Sequence, residues 1–205
     1  MTAAVRVDKF EERRRELADA ALRTLAERGY ARTSLREIAK ESPFSHGVLH
    51  YYFRDKVELI TYCVRRYKAV CVRRYDEVVE GATTADGLAA GFAEAMAATL
   101  VADATMHRLW YDLRSQALFE SCFRADVQEI DGTLQAMVWR VVRRWSELSR
   151  RAPAVPEDVA YAMFDGLFQQ ALLRQVAGEP DAPDRLRDGV RRLLDLVAAA
   201  PPGRG

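Results

Sequence analysis

An all-α fold follows from three observations on this chain of 205 residues. Apolar residues recur at three- and four-residue spacing over most of its length, the period of an amphipathic helix. Strand-like alternation of useful length does not appear. Glycines, prolines and short polar runs fall mainly between the periodic stretches, so they punctuate a series of about nine helices.

The first stretch places Phe10, Leu17, Ala18, Ala21, Leu22 and Leu25 on one side and Arg13, Arg14, Glu16 and Asp19 mainly on the other. Gly29 can take the left-handed conformation that ends a helix, and Tyr30 and Ala31 lead onward. Ser34 followed by Glu37 is a capping-box pattern, opening a short helix with Leu35, Ile38 and Ala39 on its buried side. Ser42 and Pro43 stop it, because proline disfavours helical geometry in the residue before it. Ser45 caps the next helix, His46 to Phe53, with Phe44 placed to staple onto Leu49. Leu49 and Phe53 then face inward. Asp55 followed by Glu58 is a second capping box, and it starts a long helix reaching about Glu80.

That helix shows Val57, Ile60, Val64, Tyr67, Cys71 and Val78 near one stripe and Arg65, Arg66, Lys68, Arg73 and Arg74 on the other side. The basic side reads as a solvated face rather than a second nucleic-acid surface. GATTADG breaks the pattern, and Thr83 or Thr84 caps a helix running to about Val101. A helix around Met106 to Phe119 carries Leu109, Trp110, Leu113 and Leu118. The next shows Phe123, Val127, Ile130, Leu134, Met137, Val141, Trp145 and Leu148, a seam suited to a helical bundle. Gly132 within it is read as a close approach. Pro156-Glu157-Asp158 makes a good first turn for a helix ending at Gly178, with Tyr161, Phe164, Leu167, Phe168, Ala171 and Leu172 as its apolar stripe. The last helix carries Leu186, Val190, Leu193, Leu194 and Val197, and PPGRG reads as a frayed tail.

Two short helices joined by a tight turn and followed by a longer helix can set the second short helix into the major groove of DNA. Leu49 and Phe53 use its inner side, which leaves His46, Gly47, Val48, His50, Tyr51 and Tyr52 outward. Gly47 lets the backbone approach a phosphate or base edge. Lys56 in the first turn of the following helix is electrostatically unfavourable there, which a phosphate partner would explain; an exposed lysine at a helix start is the plainer alternative.

These residues carry a resemblance. Thr33-Ser34, Ile38-Ala39, Ser45, Gly47, Leu49, Tyr51-Tyr52-Phe53, Lys56 and Leu59, with ERGYARTS before them, resemble the DNA-binding domain of the TetR (tetracycline-repressor) family of bacterial transcription regulators. The resemblance is specific over roughly residues 10 to 62. It implies an N-terminal three-helix helix-turn-helix domain over 1–54 and a larger helical ligand-binding and dimerisation domain over 55–205. It also implies a homodimer on double-stranded DNA, held through the last two helices, and a repressor released from a palindromic operator by a small, largely apolar effector. The alternative is a DNA-binding regulator controlled by a protein partner or by abundance. Thr33, Ser34, Ser45, Tyr51, Tyr52 and Lys56 are the expected phosphate and positioning residues, with His46, Gly47, Val48 and His50 nearest the bases. Three positions depart from the family: Pro43 stands for the usual turn glycine, Val48 for a common threonine and His50 for a common tyrosine. They bear on operator sequence, since valine offers a thymine methyl an apolar contact in place of a hydroxyl.

Composition agrees. Nearly half the residues are hydrophobic and 30% are charged, a soluble globular balance. No membrane span is expected from the apolar runs, and MTAAVRVDKFEERRR lacks a signal peptide's apolar region, so the cytoplasm is expected. The net charge of +1 conceals an asymmetry: residues 1–80 hold 17 Lys and Arg against 13 Asp and Glu, the remainder 14 against 17. Cys63, Cys71 and Cys122 fit small hydrophobes in a reducing compartment.

His46 and His50 have a spacing that can present two imidazoles to zinc, yet no cysteine or acidic partner sits beside them, and no metal is expected. GxSxG, Walker, Rossmann and HExxH patterns do not occur, so nothing supports an enzyme or a cofactor. Phe92, Met96, Met106, His107, Trp110, Tyr111, Phe123, Met137, Phe164 and Phe168 are candidates to line an apolar effector pocket. Each taken singly reads as core before ligand contact; as a group they permit a pocket.

Overall fold

The computed structural model describes residues 3–29 and 33–198, without side chains for 3–8, 23, 26 and 27. Tyr30, Ala31 and the terminal PPGRG lie outside the described residues. Nine α-helices are present among them: α1 (Ala3–Arg28), α2 (Leu35–Lys40), α3 (His46–Tyr52), α4 (Lys56–Gly81), α5 (Ala85–Ala102), α6 (Ala104–Ala117), α7 (Arg124–Ser149), α8 (Glu157–Ala177) and α9 (Ala182–Leu196). A 3₁₀ turn at Ser121–Phe123 precedes α7.

The helix boundaries have local causes. Gly29 ends α1 at φ +73° and Gly178 ends α8 at φ +82°, values that favour glycine. Ser34 and Glu37 form both bonds of a capping box: the Glu37 amide donates to Ser34 Oγ at 3.2 Å, and the Ser34 amide donates to Glu37 Oε2 at 2.7 Å. Ser45 Oγ accepts from the Val48 amide at 3.3 Å. At α4 the Glu58 amide donates to Asp55 Oδ1 at 2.8 Å, but the Glu58 carboxylate accepts from the Arg54 amide at 2.9 Å. The second expected capping box therefore closes one residue further back. Of the two threonines after α4, Thr84 is the cap of α5, accepting from the Gly87 amide at 3.1 Å.

The chain divides into two compact units, and the division differs from a cut after residue 54. The first comprises 1–67 and 108–127; the second comprises 68–107 and 128–205. In the first, α1, α2 and α3 pack on one another over Leu17, Ala18, Ala21, Leu25, Leu35, Ile38, Leu49 and Phe53. Residues 108–127 belong here through contacts that sequence order hides: Arg65 pairs with Asp126 at 2.7 Å, and Gly29 sits against the Asp112 carboxylate.

In the second unit α5 packs on α9 and α8, and α8 packs on α9. The α7 seam is buried at Ile130, Leu134, Met137, Val141 and Trp145, as its spacing predicts. A Cβ added at Gly189 on α9 would lie 2.8 Å from Leu167 Cδ1, which makes this glycine the close approach between α8 and α9.

Four expectations are corrected. Gly132 has no atom near its missing Cβ, so it marks no close approach. Leu118 lies beyond the end of α6 and is 76% exposed, because the helix stops one residue before it. Lys68 is buried, not solvated, since its stem faces into the second unit beside His107. Cys122 is exposed, while Cys63 and Cys71 are buried as small hydrophobes; burial pushes the Cys63 thiol up to about 12.

Candidate nucleic-acid interface

The second short helix, α3, is seven residues long and is fixed at both ends and from beneath. Ser45 caps its start, the Phe53 amide closes its end on the Leu49 carbonyl at 2.8 Å, and Leu49 and Phe53 are fully buried under it. What remains outward is the set read from the sequence: His46, Gly47 and His50 are exposed, Val48 is half-buried, and Tyr51 is 74% exposed. The two imidazoles meet edge to face with ring centres 4.4 Å apart.

Phe10 holds the tyrosines from α1. Its ring centre lies 4.7 Å from that of Tyr52 and 6.2 Å from that of Tyr51, and the two tyrosines meet at 5.0 Å. Tyr52 is thereby half-buried, while Tyr51 stands out. Such aromatic contacts limit the freedom of a side chain before it meets a partner.

Gly47 is informative because nothing inside the protein requires it. A Cβ there would meet only Ser45 Oγ, at 4.0 Å, and its φ is not positive. A glycine inside a helix lowers stability by roughly 0.5–1 kcal/mol relative to alanine, so the open space above it suits a close external surface.

Lys56 opens α4 half-buried. Burial lowers its pKa, against the opposing pull of Glu120, Asp112 and Glu37. Ser34 is exposed, its oxygen engaged as a cap. Thr33 departs from expectation. It is buried, and its hydroxyl donates to the Gly29 carbonyl at 2.8 Å, which ties the segment before α2 to the end of α1. Its side chain thus takes part in the fold of the head.

The effector-pocket candidates are divided between the units. Trp110, Tyr111 and Phe123 belong to the first; Phe92, Met96, Met106, His107, Met137, Phe164 and Phe168 belong to the second. There Phe92 meets Phe164 edge to face at 5.6 Å and Tyr75 at 5.4 Å, and His107 lies 4.5 Å from Phe168. Sequence reading passed over Tyr75 and Thr99 and took Lys68 for solvated. They are buried polar groups beside this aromatic cluster, with Tyr75 Oη 3.3 Å from Thr99 Oγ1. Tyrosine and threonine inside apolar stripes carried no separate signal.

A short outward helix, capped by serine and set on a three-helix core ahead of a long helix, defines a helix-turn-helix DNA-binding protein. Residues 17–63 match the model of the bacterial regulatory proteins of the tetR family. The chain is 30% identical over 176 residues to the HTH-type transcriptional regulator BetI of Brucella melitensis, covering 84% of this chain and 83% of that one. It is 27% identical over 190 residues to the HTH-type transcriptional repressor Rv1474c of Mycobacterium tuberculosis, covering 93% of each. In fold it is similar to the transcriptional regulator FadR of Bacillus subtilis, solved with stearoyl-CoA, at a TM-score of 0.73 and 19% identity over 87% of this chain and 95% of that one. The chain belongs to the TetR family of transcriptional regulators.

Proposed function

We propose that the protein is a repressor that binds a palindromic operator as a homodimer and releases it when a small, largely apolar molecule occupies the C-terminal helices. The single observation that carries the DNA reading is the unfilled space over Gly47 on a helix otherwise locked in place. His46, Val48 and His50 flank that space and read base edges, while Ser34, Ser45, Tyr51, Tyr52 and Lys56 hold phosphates and fix register. Two copies place their reader helices about one helical turn of DNA apart, about 34–36 Å.

Pairing of copies is supported by α8 and α9. Val159, Leu173 and Val176 on α8 and Leu196 on α9 are exposed apolar residues on adjacent terminal helices, positions a second copy would cover. The aromatic cluster of the second unit supports an apolar effector, and the FadR relative in fold was solved with a fatty acyl thioester. An effector must favour the form that does not bind DNA; a hundredfold loss of operator affinity corresponds to about 2.7 kcal/mol of differential binding. The cytoplasm is the compartment where such a protein meets DNA.

The test is a Tyr51→Ala, Lys56→Ala double variant measured by fluorescence anisotropy on operator DNA. It should keep its circular dichroism and lose most affinity. Wild-type affinity should also fall steeply with added salt, as phosphate contacts release counterions. Undiminished binding by the folded double variant would exclude this docking face.

A further inference from the structure

We propose that the first unit contains a binding site for a small zwitterion, in a cleft of about 490 Å³ between α1, the first turns of α4 and the 3₁₀ turn that leads into α7. Thr61 of α4 lines the cleft and is 5% exposed, and its hydroxyl has no hydrogen-bond partner among the described residues. A helical threonine ordinarily bonds back to the carbonyl four residues earlier, and a buried polar group left unpaired is rare enough to need a reason. A ligand atom at this position supplies one.

The charges around Thr61 select the ligand. Arg14 pairs with Glu58 at 2.7 Å, Arg65 with Asp126 at 2.7 Å, and Arg54 with Asp55 at 3.1 Å. Guanidinium and carboxylate groups are thus balanced, so neither a simple anion nor a simple cation gains from the net charge. A molecule carrying both charges a few bonds apart adds its carboxylate to one side of an existing pair and its ammonium to the other. The cleft is also preformed. The Arg14 guanidinium lies over the rings of Phe53 and Tyr62, 4.7 Å from each centre.

The site adjoins Arg54 and Asp55, which directly follow the end of α3, so an occupant bears on the residues that hold the reader helix. That consequence rests on the DNA-binding reading above; the binding itself does not.

Cys122 lines the same cleft and is exposed, whereas Cys63 and Cys71 are buried, so alkylation by iodoacetamide reports on the cleft. The full-length protein is titrated calorimetrically with each common amino acid, and with acetate and methylammonium as singly charged controls. At least one amino acid is expected to bind saturably, to slow Cys122 alkylation and to exceed both controls. Thr61→Val keeps the shape without the hydroxyl and is expected to weaken binding by about tenfold or more with circular dichroism unchanged. Should that variant fail to fold, Asp126→Asn is expected to show the same loss. No saturable binding, binding that leaves Cys122 unprotected, equal binding of acetate, or affinity unchanged in both variants overturns the proposal. Absence of operator affinity in the unaltered protein, with amino-acid binding intact, would sink only the DNA-binding reading.

Discussion

Lys68 Nζ lies 3.4 Å from His107 Nδ1, with both side chains buried in the second unit. An ammonium can only donate, so Nδ1 accepts and the imidazole is neutral. Burial first, and then the charges of Lys68 and Arg74, push the His107 pKa down to about 2. In the unfolded chain the same imidazole takes up a proton near pH 6.5. The folded state therefore binds fewer protons between these values. Its stability is fully present above about pH 6.5 and is lost as pH falls toward 2, by up to about 1.4 kcal/mol per pH unit from this group. Urea unfolding at a series of pH values should show that slope, and His107→Gln should remove this share of it. An identical pH dependence in the variant would refute the assignment.

Gly47→Ala separates folding from recognition. The methyl meets open space in the protein, so the head should gain roughly 0.5–1 kcal/mol. Operator affinity should fall, because the same methyl occupies the gap facing the groove. Urea midpoint and anisotropy should move in opposite directions. If both rise, close approach at Gly47 is not part of binding.

Thr33→Val tests whether that residue serves the fold of the head alone. Loss of the bond to the Gly29 carbonyl should cost about 1 kcal/mol of stability, while affinity of the folded fraction for operator DNA stays at the wild-type value. A specific fall in DNA affinity at unchanged stability would return Thr33 to the phosphate surface.

Leu173→Glu and Leu196→Glu place charges on exposed apolar positions of α8 and α9. Neither disturbs the buried core, so helical content should be kept. Each should shift sedimentation toward the monomer and weaken operator binding in step. A dimer that survives both substitutions would locate the subunit interface elsewhere.

The elements were legible because their signals are local. Ser34 with Glu37, Ser45, Gly29 and Gly178 act on amides and carbonyls within a few residues, and the structure uses each of them at a helix end. The outward set on α3 was legible for a related reason: Leu49 and Phe53 fix which side is inner, and the rest follows from helical spacing. The misreadings have a different origin. Lys68 looked solvated because its helix neighbours are charged, but its surroundings come from His107, 39 residues later. Thr33 was placed among the DNA contacts by resemblance, and the bond of its hydroxyl to the Gly29 carbonyl had no signal in the sequence. Residues 108–127 join the head through Asp112 and Asp126, and no sequence period announces such a return. The cleft around Thr61 was invisible for the same reason, being assembled from three separate stretches of chain.

The missing side chain at position 189 has a bearing on the history of this protein. The end of the Leu167 side chain occupies the space a Cβ there would need, so a change at one site is felt at the other. A descendant that replaces Gly189 must turn aside or shorten residue 167, and in a set of orthologues the pair should tend to change in concert.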